Sequence, residues 1–300
     1  MSDVVAARPP ADVQVDEALV RRLLSAQHPD LAGLPLQHAA GGWDNELWRL
    51  GDDLAVRVPR RAQAAPLAAN EHRWLPVLAP RLAVAVPVPV RVGRPTDEYP
   101  YPWSVVPWLP GTPAWRTLPG SRRAWADRLA DALADLHVPA EPGAPRNPVR
   151  GVPLAARDAV VRERLATVPV EGAARLAALW SNALDAEPWP GPPSWLHGDP
   201  HPANLLVEGA RLVALVDFGD LAAGDPATDL ATAWLTFDAA GRAAFRARLV
   251  ARGATDDATW CRARGWAVVM TTAMLQRPSD AAIEAIGRHG LGELLAEDLP

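Results

Sequence analysis

The chain of 300 residues contains no lysine: all 30 basic residues are arginine, set against 35 acidic residues for a formal net charge of −5. That absence excludes Schiff-base chemistry and any phosphate site that depends on a lysine ammonium. Alanine, arginine and proline dominate the composition. A coding bias that favours arginine throughout accounts for the missing lysine more simply than a selected loss does. The single cysteine, Cys261, permits no internal disulfide and fits a reducing compartment; it reads as a small apolar residue on a helix. No uncharged apolar run approaches the length of a membrane span, and the N-terminal MSDVVAARPPADVQVDE lacks the apolar core of a secretory signal. Mild acidity argues against a nucleic-acid partner, which selects a basic face. These exclusions leave a cytoplasmic globular protein, monomer or dimer, with no nucleic-acid and no membrane partner.

Half the chain is apolar, and its length suits one large domain or two lobes. Residues 1–13 read as a loose arm. Asp16 is placed to cap a helix over 16–27, with Leu19, Val20, Leu23 and Leu24 on one face. Strand-like runs follow at 34–40, 43–50 and 54–58, with Gly41 and Gly42 between the first two and a Gly51-Asp52-Asp53 turn before the third. A helix is expected over 66–78, then strands over 86–92 and 101–109. The Pro- and Trp-rich stretch 107–119 reads as a hinge. Beyond it, 121–137 is amphipathic, with Ser121 as cap and Trp125, Leu129, Leu133 and Leu136 on one stripe. Helices are expected at 155–167 and 171–186, then a strand-rich insert over 195–218. Further helices are expected at 226–237, 239–252, 256–275, 279–288 and 290–297. The fold class this predicts is α+β and bilobal. A small strand-rich lobe spans 1–106, the hinge 107–119, and a larger helical lobe 120–300, with a ligand cleft between the lobes.

The chemistry concentrates in 195–220. Asp199, Asn204 and Asp217 stand at loop or strand ends between apolar runs, and the Glu208-Gly209-Ala210 turn closes a hairpin that returns Asp217 toward Asn204. Singly, each reads as a turn residue. Together, two carboxylates and an amide supply hard oxygen ligands suited to Mg²⁺, with one carboxylate left to orient a hydroxyl and accept its proton. Phosphoryl transfer needs this combination.

The order His197-Gly198-Asp199, Asn204 five positions on, and Asp217-Phe218-Gly219 downstream is similar to the protein-kinase catalytic loop and its metal-binding triplet. The form HGDPHPANLL and the later Gly224-Asp225-Pro226-Ala227-Thr228-Asp229-Leu230 resemble the aminoglycoside phosphotransferase family of small-molecule kinases. The resemblance runs over roughly 34–237 and implies a protein-kinase-like fold. It implies Asp199 as catalytic base, and Asn204 and Asp217 as ligands of Mg²⁺ on the nucleotide phosphates. Asp229 would brace the catalytic loop, Asp225 would cap the following helix, and His197 would be an architectural hydrogen bonder. His201 receives no role.

The family pairs a strand lysine with a helix glutamate on the phosphates. Here Arg57 stands at the lysine position, with Glu71 fourteen residues on. Guanidinium keeps the charge and changes the geometry. Arg60 and Arg61 read as a solvated basic patch. Gly41 and Gly42 lie where a phosphate-covering loop would, although a plain turn explains them nearly as well. The backbone from Val106 through Trp108 to Leu109 is the expected purine-binding hinge, for ATP first and GTP as the alternative. An aminoglycoside acceptor would want carboxylates, for which Asp238, Asp256, Asp257, Glu284, Glu293, Glu297 and Asp298 are candidates. Trp234, Phe237, Trp260 and Trp266 could instead line an apolar pocket. The segment from Arg57 to Arg61 is similar to the corresponding strand of macrolide phosphotransferases. The function this predicts is γ-phosphoryl transfer from a nucleoside triphosphate to a small-molecule hydroxyl, most readily of an aminoglycoside-type antibiotic. A macrolide kinase, a metabolite kinase and a non-catalytic nucleotide-binding protein are the alternatives.

Overall fold

The computed structural model describes residues 9–167, 172–276 and 280–297. The chain opens with helix α1 (Glu17–Gln27), capped by Asp16, whose carboxylate accepts the Leu19 amide at 2.8 Å. Strands β1 (Leu36–Gly41), β2 (Asn45–Leu50) and β3 (Leu54–Pro59) form an antiparallel meander. Helix α2 (Ala65–Leu78) leads to β4 (Arg91–Gly93) and β5 (Trp103–Pro107), giving a sheet of order β1-β2-β3-β5-β4. Its core gathers Leu19, Val20, Leu24, Leu50, Val56, Val58, Trp103 and Val105, all nearly solvent-free. Burial of each such side chain contributes about 1.5–3 kcal/mol.

The rest is mainly helical: α3 (Pro119–Arg122), α4 (Ala126–Leu136), α5 (Asp158–Thr167), α6 (Ala173–Leu184), α7 (Ala227–Leu230), α8 (Thr232–Thr236), α9 (Ala239–Ala251), α10 (Asp257–Gln276) and α11 (Ala281–Ala296). Among them lie β6 (Thr112–Pro113), β7 (Ser194–Leu196), β8 (Leu205–Glu208), β9 (Arg211–Leu215) and β10 (Ala222–Gly224). β8 and β9 form the expected hairpin, with β6 on its edge, while β10 pairs with β7. Helix α10 is buried nearly all round, so it carries no amphipathic stripe and serves as the axis of the second core. Helix α2 contributes Trp74, Leu75 and Leu78 to that second core, tying the two parts together.

Several sequence expectations change. The described part of the N-terminal arm is not loose: the Asp12 and Val13 amides donate to the Arg60 carbonyl, and the Asp12 carboxylate accepts the Ala62 amide at 2.7 Å. Residues 1–8 of that arm lie outside the described residues. The strand expected over 86–92 contracts to 91–93, because Pro87 and Pro89 lack ladder donors. Its leading end instead joins the hairpin, the Ala85 amide donating to Val213 and the Leu215 amide to Ala85. Ser121 does not cap the long amphipathic helix. Pro119 starts an earlier turn, into which the Ser121 hydroxyl donates through the Leu118 carbonyl. The helix expected at 226–237 breaks into α7 and α8, and the two expected after 279 fuse into α11. Gly290 inside α11 is a packing glycine rather than a breaker, since a Cβ there would lie 2.6 Å from the Thr271 hydroxyl.

Gly93 shows the same logic in the sheet. A Cβ would fall 1.9 Å from the indole of Trp103, which is completely buried. Gly93→Ala therefore forces the indole out of its place and should cost about 3 kcal/mol by overpacking. A urea titration would check this, and an unchanged midpoint would show that the indole has room to move.

Candidate active site

The candidate catalytic loop is built around a buried carboxylate. Asp229, with no solvent exposure, accepts the His197 amide through Oδ2 and the Gly198 amide through Oδ1, both at 2.8 Å. His137 Nε2 lies 3.0 Å from the same Oδ2. Two amides that would otherwise be buried without acceptors are thereby satisfied, and the loop's entry angle is fixed. Gly198 adopts φ +90°, and a Cβ there would meet the Asp220 carbonyl at 2.3 Å. The middle position of the triplet is thus closed to any side chain. His197 receives the Asp199 amide on Nδ1 at 3.3 Å, which makes Nε2 the protonated nitrogen, donating to the Val216 carbonyl at 3.0 Å. The imidazole thus links the catalytic loop to the end of β9.

Asp199, Asn204 and Asp217 converge as the hairpin argument requires. The Val216 amide donates to the Asn204 carbonyl at 3.0 Å, which brings Asp217 beside Asn204. Asn204 Nδ2 donates to the Asp199 carbonyl at 3.0 Å, leaving its Oδ1 to face elsewhere. Asp217 sits at φ 61° and is the sole non-glycine residue with positive φ among those described. Strain of this kind is kept where the surroundings over-determine it, commonly at functional positions. Crowding in the cleft acts to raise the Asp217 carboxyl, but Arg57, His197 and His201 outweigh it and hold it below the usual range.

Arg57 bridges two acids. Nη1 donates to Glu71 at 2.5 Å and Nη2 to Asp217 Oδ1 at 2.8 Å. Burial pushes the Glu71 carboxyl up to about 7 despite the adjoining guanidinium. Above Gly41 the hairpin closes through the Gly42 amide, which donates to the Asn45 carbonyl at 2.7 Å, and exposed Trp43 stands at the tip. Arg61 pairs with Asp44 of this hairpin at 2.8 Å, and Arg60 Nε approaches Glu46 at 3.7 Å. Both arginines are mostly buried, so the solvated patch expected there does not form.

In the stretch expected to form the hinge, the Trp108 amide is committed to the Asp53 carbonyl at 2.7 Å, and its indole lies beneath the Arg49 guanidinium. Val106 pairs with Ala55 of β3, while the Val105 carbonyl accepts the Val90 amide from the opposite side. Alternation along the strand turns Val106 and Trp108 toward β3 and the Pro107 carbonyl away from it. The Leu109 amide has no hydrogen-bond partner among the described residues.

The expected acceptor carboxylates that lie among the described residues are engaged within the protein. Asp238, Asp256 and Asp257 serve helix ends, the first two accepting the Gly241 and Thr259 amides and the third pairing with Arg246. Glu284 pairs with Arg288, and Glu293 and Glu297 both meet Arg242. Asp298 lies outside the described residues. Trp234, Phe237, Trp260 and Trp266 are core. Asp225 accepts the Ala227 amide at the start of α7 and also holds Arg262 in a buried two-point ion pair.

Sequence reasoning missed the residues that do flank Asp199. Arg150 Nη2 lies 3.6 Å from Asp199 Oδ1 and its Nε 3.8 Å from Asp220. Asn147 Nδ2 donates to Asp220 at 2.7 Å. Asp220 is pushed up by burial in spite of Arg150, with Asp199 adding to the rise. The only advance signal was Asp220 itself, directly after the Asp217-Phe218-Gly219 triplet. Arg150 sits in a proline-rich loop with no periodic pattern to place it.

The residues present fit a Mg²⁺ site of the kind that nucleotide phosphates complete. Asn204 and Asp217 offer hard oxygens, and no cluster of three or more His, Cys, Asp or Glu able to hold an ion by itself occurs among the described residues.

A small antiparallel sheet hinged to a helical body, with these three polar residues at the junction, is the architecture of kinase-like phosphotransferases. The chain belongs to the phosphotransferase enzyme family, whose model matches residues 35–266. It is similar in structure to the macrolide 2'-phosphotransferase MphH from Brachybacterium faecium, at 26% identity and TM-score 0.63 over 95% of this chain and 100% of that one. It is also similar to the GDP complex of aminoglycoside 2'-phosphotransferase-IIIa, at 19% identity and TM-score 0.67 over 94% and 99%. A streptomycin–ATP complex of APH(2")-IIa aligns at 17% identity and TM-score 0.60 over 95% and 98%. The latter two establish likeness of fold alone. No curated protein matches the chain in sequence. No helix is long and apolar enough to cross a membrane among the described residues.

The two-armed contact of Arg57 makes a specific demand. A lysine ammonium is a point charge on a flexible stem and cannot hold Glu71 and Asp217 in a fixed fork. Arg57→Lys should raise the nucleotide KM by about tenfold, the worth of one charged hydrogen bond. Steady-state kinetics would check this, and an unchanged KM would mean that charge alone is required at position 57.

Proposed function

We propose that the protein transfers the γ-phosphoryl of a Mg²⁺-bound nucleoside triphosphate to a hydroxyl of a weakly charged small molecule. The observation that carries the reading is the meeting of Asp199, Asn204 and Asp217 at the end of the β8–β9 hairpin, beneath the Arg57–Glu71 pair. In the reaction, Asp199 takes up the acceptor hydroxyl, orients its oxygen toward the γ-phosphorus and accepts its proton. Asn204 and Asp217 would hold Mg²⁺, which would supply charge neutralisation to the phosphate oxygens. Arg57, kept in place by Glu71, turns its charge to the phosphates. The Pro107 carbonyl and the Leu109 amide present an acceptor and a donor to the edge of a purine. This pairing serves ATP directly and leaves GTP open. Asp229 and His197 keep the loop in shape and take no part in proton transfer.

The acceptor class follows from what the acidic residues are doing. A polycation needs carboxylates whose charge is free to face it. The described candidates are spent on arginines or helix ends, and Asp199 is flanked by basic groups, His201 Nε2 at 3.4 Å and Arg150 Nη2 at 3.6 Å. These facts favour a largely neutral acceptor over an aminoglycoside, and a macrolide-type antibiotic is the leading case. The solved relative at 26% identity is a macrolide phosphotransferase.

Asp199→Ala should abolish phosphoryl transfer, measured as acceptor-dependent nucleoside diphosphate release, while nucleotide affinity stays within about threefold. Undiminished turnover would remove Asp199 from the mechanism. Across a panel of macrolides, aminoglycosides and neutral metabolite alcohols, kcat/KM should be highest for neutral polyhydroxylated acceptors. A preference for polycations by more than about tenfold would overturn the acceptor assignment.

A further inference from the structure

The phosphoryl group in flight carries negative charge on its three equatorial oxygens, and enzymes commonly meet it with a cation besides the metal. The catalytic loop of this chain carries no arginine or lysine for this, and its His201 imidazole is already turned to the Asp199 carboxylate, Nε2 lying 3.4 Å from Oδ2. Position 198 is closed by the Asp220 carbonyl, the run from Asp199 to Val207 contains no arginine, and the chain has no lysine. A cation reaches the site from elsewhere. Arg150, on the loop between α4 and α5, places Nη2 3.6 Å from Asp199 Oδ1, a charge contact longer than a hydrogen bond. Asp199 Oδ1 and Arg150 Nε are both buried and make no hydrogen bond. The Asp199 oxygen beside Nη2 is therefore without a hydrogen-bond donor, while the unbonded Nε lies on the Asp220 side of the guanidinium. Asp220 steadies the guanidinium from behind at 3.8 Å and is itself held by Asn147.

We infer that Arg150 is a further catalytic residue, donating to the transferring phosphoryl group from the acceptor side, a role that rests on the phosphotransferase reading above. As the acceptor oxygen bonds to the γ-phosphorus, its proton passes to the Asp199 carboxylate. The bond from that phosphorus to the β,γ-bridging oxygen breaks, and its electron pair leaves with the nucleoside diphosphate. Arg150 forms no covalent bond. It donates N–H bonds to equatorial phosphoryl oxygens, and these strengthen as charge gathers there. The sequence and structure agree on the reason for the unusual origin of this cation: a glycine-only catalytic turn forces it to come from a neighbouring loop.

The test uses the full-length protein with ATP or GTP and Mg²⁺, reading both transfer to a hydroxyl acceptor and slow transfer to water. Arg150→Ala should lower kcat by about 100-fold or more, in the range of a lost oxyanion donor, with nucleotide affinity and thermal midpoint little changed. Arg150→Lys should recover part of the loss, and guanidinium ion added to Arg150→Ala should restore activity in a saturable manner. Arg146→Ala, on the same loop without an ion pair to Asp199, should behave as wild type and show no response to guanidinium. A kcat for Arg150→Ala within about threefold of wild type would overturn the proposal, and so would a loss that guanidinium leaves untouched. Wild-type protein that transfers phosphoryl to neither hydroxyl nor water would instead overturn the phosphotransferase reading on which it rests.

Discussion

The site depends first on the Asp229 carboxylate and the two amides it holds. A fully buried carboxylate is costly unless its oxygens are filled, and those of Asp229 are filled by the amides of His197 and Gly198 and by His137. That need fixes the turn in which Asp199 sits. Gly198 then has to adopt positive φ, and the Asp220 carbonyl packs into the space a side chain would occupy. His197, pinned at its amide, spans to Val216 and sets where β9 ends. Asp217 follows in a left-handed conformation, and Arg57 crosses from the sheet to meet it. One buried acid thus propagates into the placement of both Asp199 and Asp217, the carboxylates to which the proposed chemistry assigns a role.

Arginine at position 57 is more than a neutral replacement for lysine. Its fork engages Glu71 with one nitrogen and Asp217 with the other, linking α2, β3 and the hairpin end in a single contact. Without a nucleotide, Asp217 is already balanced by a cation, so its negative charge does not stand alone in the cleft. The composition that removed lysine from the chain therefore left a site that exploits the geometry of guanidinium. Arg61 and Arg60 extend the same pattern by pairing with the β1–β2 hairpin instead of facing water.

Much of this was legible from the residues. The triplet at 197–199, Asn204 and the triplet at 217–219 carry fixed spacings, and a short hairpin brings their ends together by geometry alone. The amphipathic helix α4 followed from its periodicity. What the sequence hid was of two kinds. Backbone commitments escaped it: the Trp108 amide turned to Asp53, and the proline-interrupted run before β4 was captured by β9. Long-range charge pairing escaped it as well. Glu293, Glu297 and Asp257 looked available for a cationic ligand until Arg242 and Arg246 were seen to occupy them. Arg150 had no local pattern at all, and only the fold sets it beside Asp199.

The function proposed for this arrangement is to move phosphorus, beyond binding a nucleotide. ³¹P NMR of the wild-type protein with ATP, Mg²⁺ and a neutral macrolide observes that directly. The account predicts loss of the γ-phosphate resonance, growth of the diphosphate pair and a new phosphomonoester signal on the acceptor. Nucleotide resonances that broaden on binding, with neither phosphomonoester nor inorganic phosphate formed for any acceptor, would contradict it.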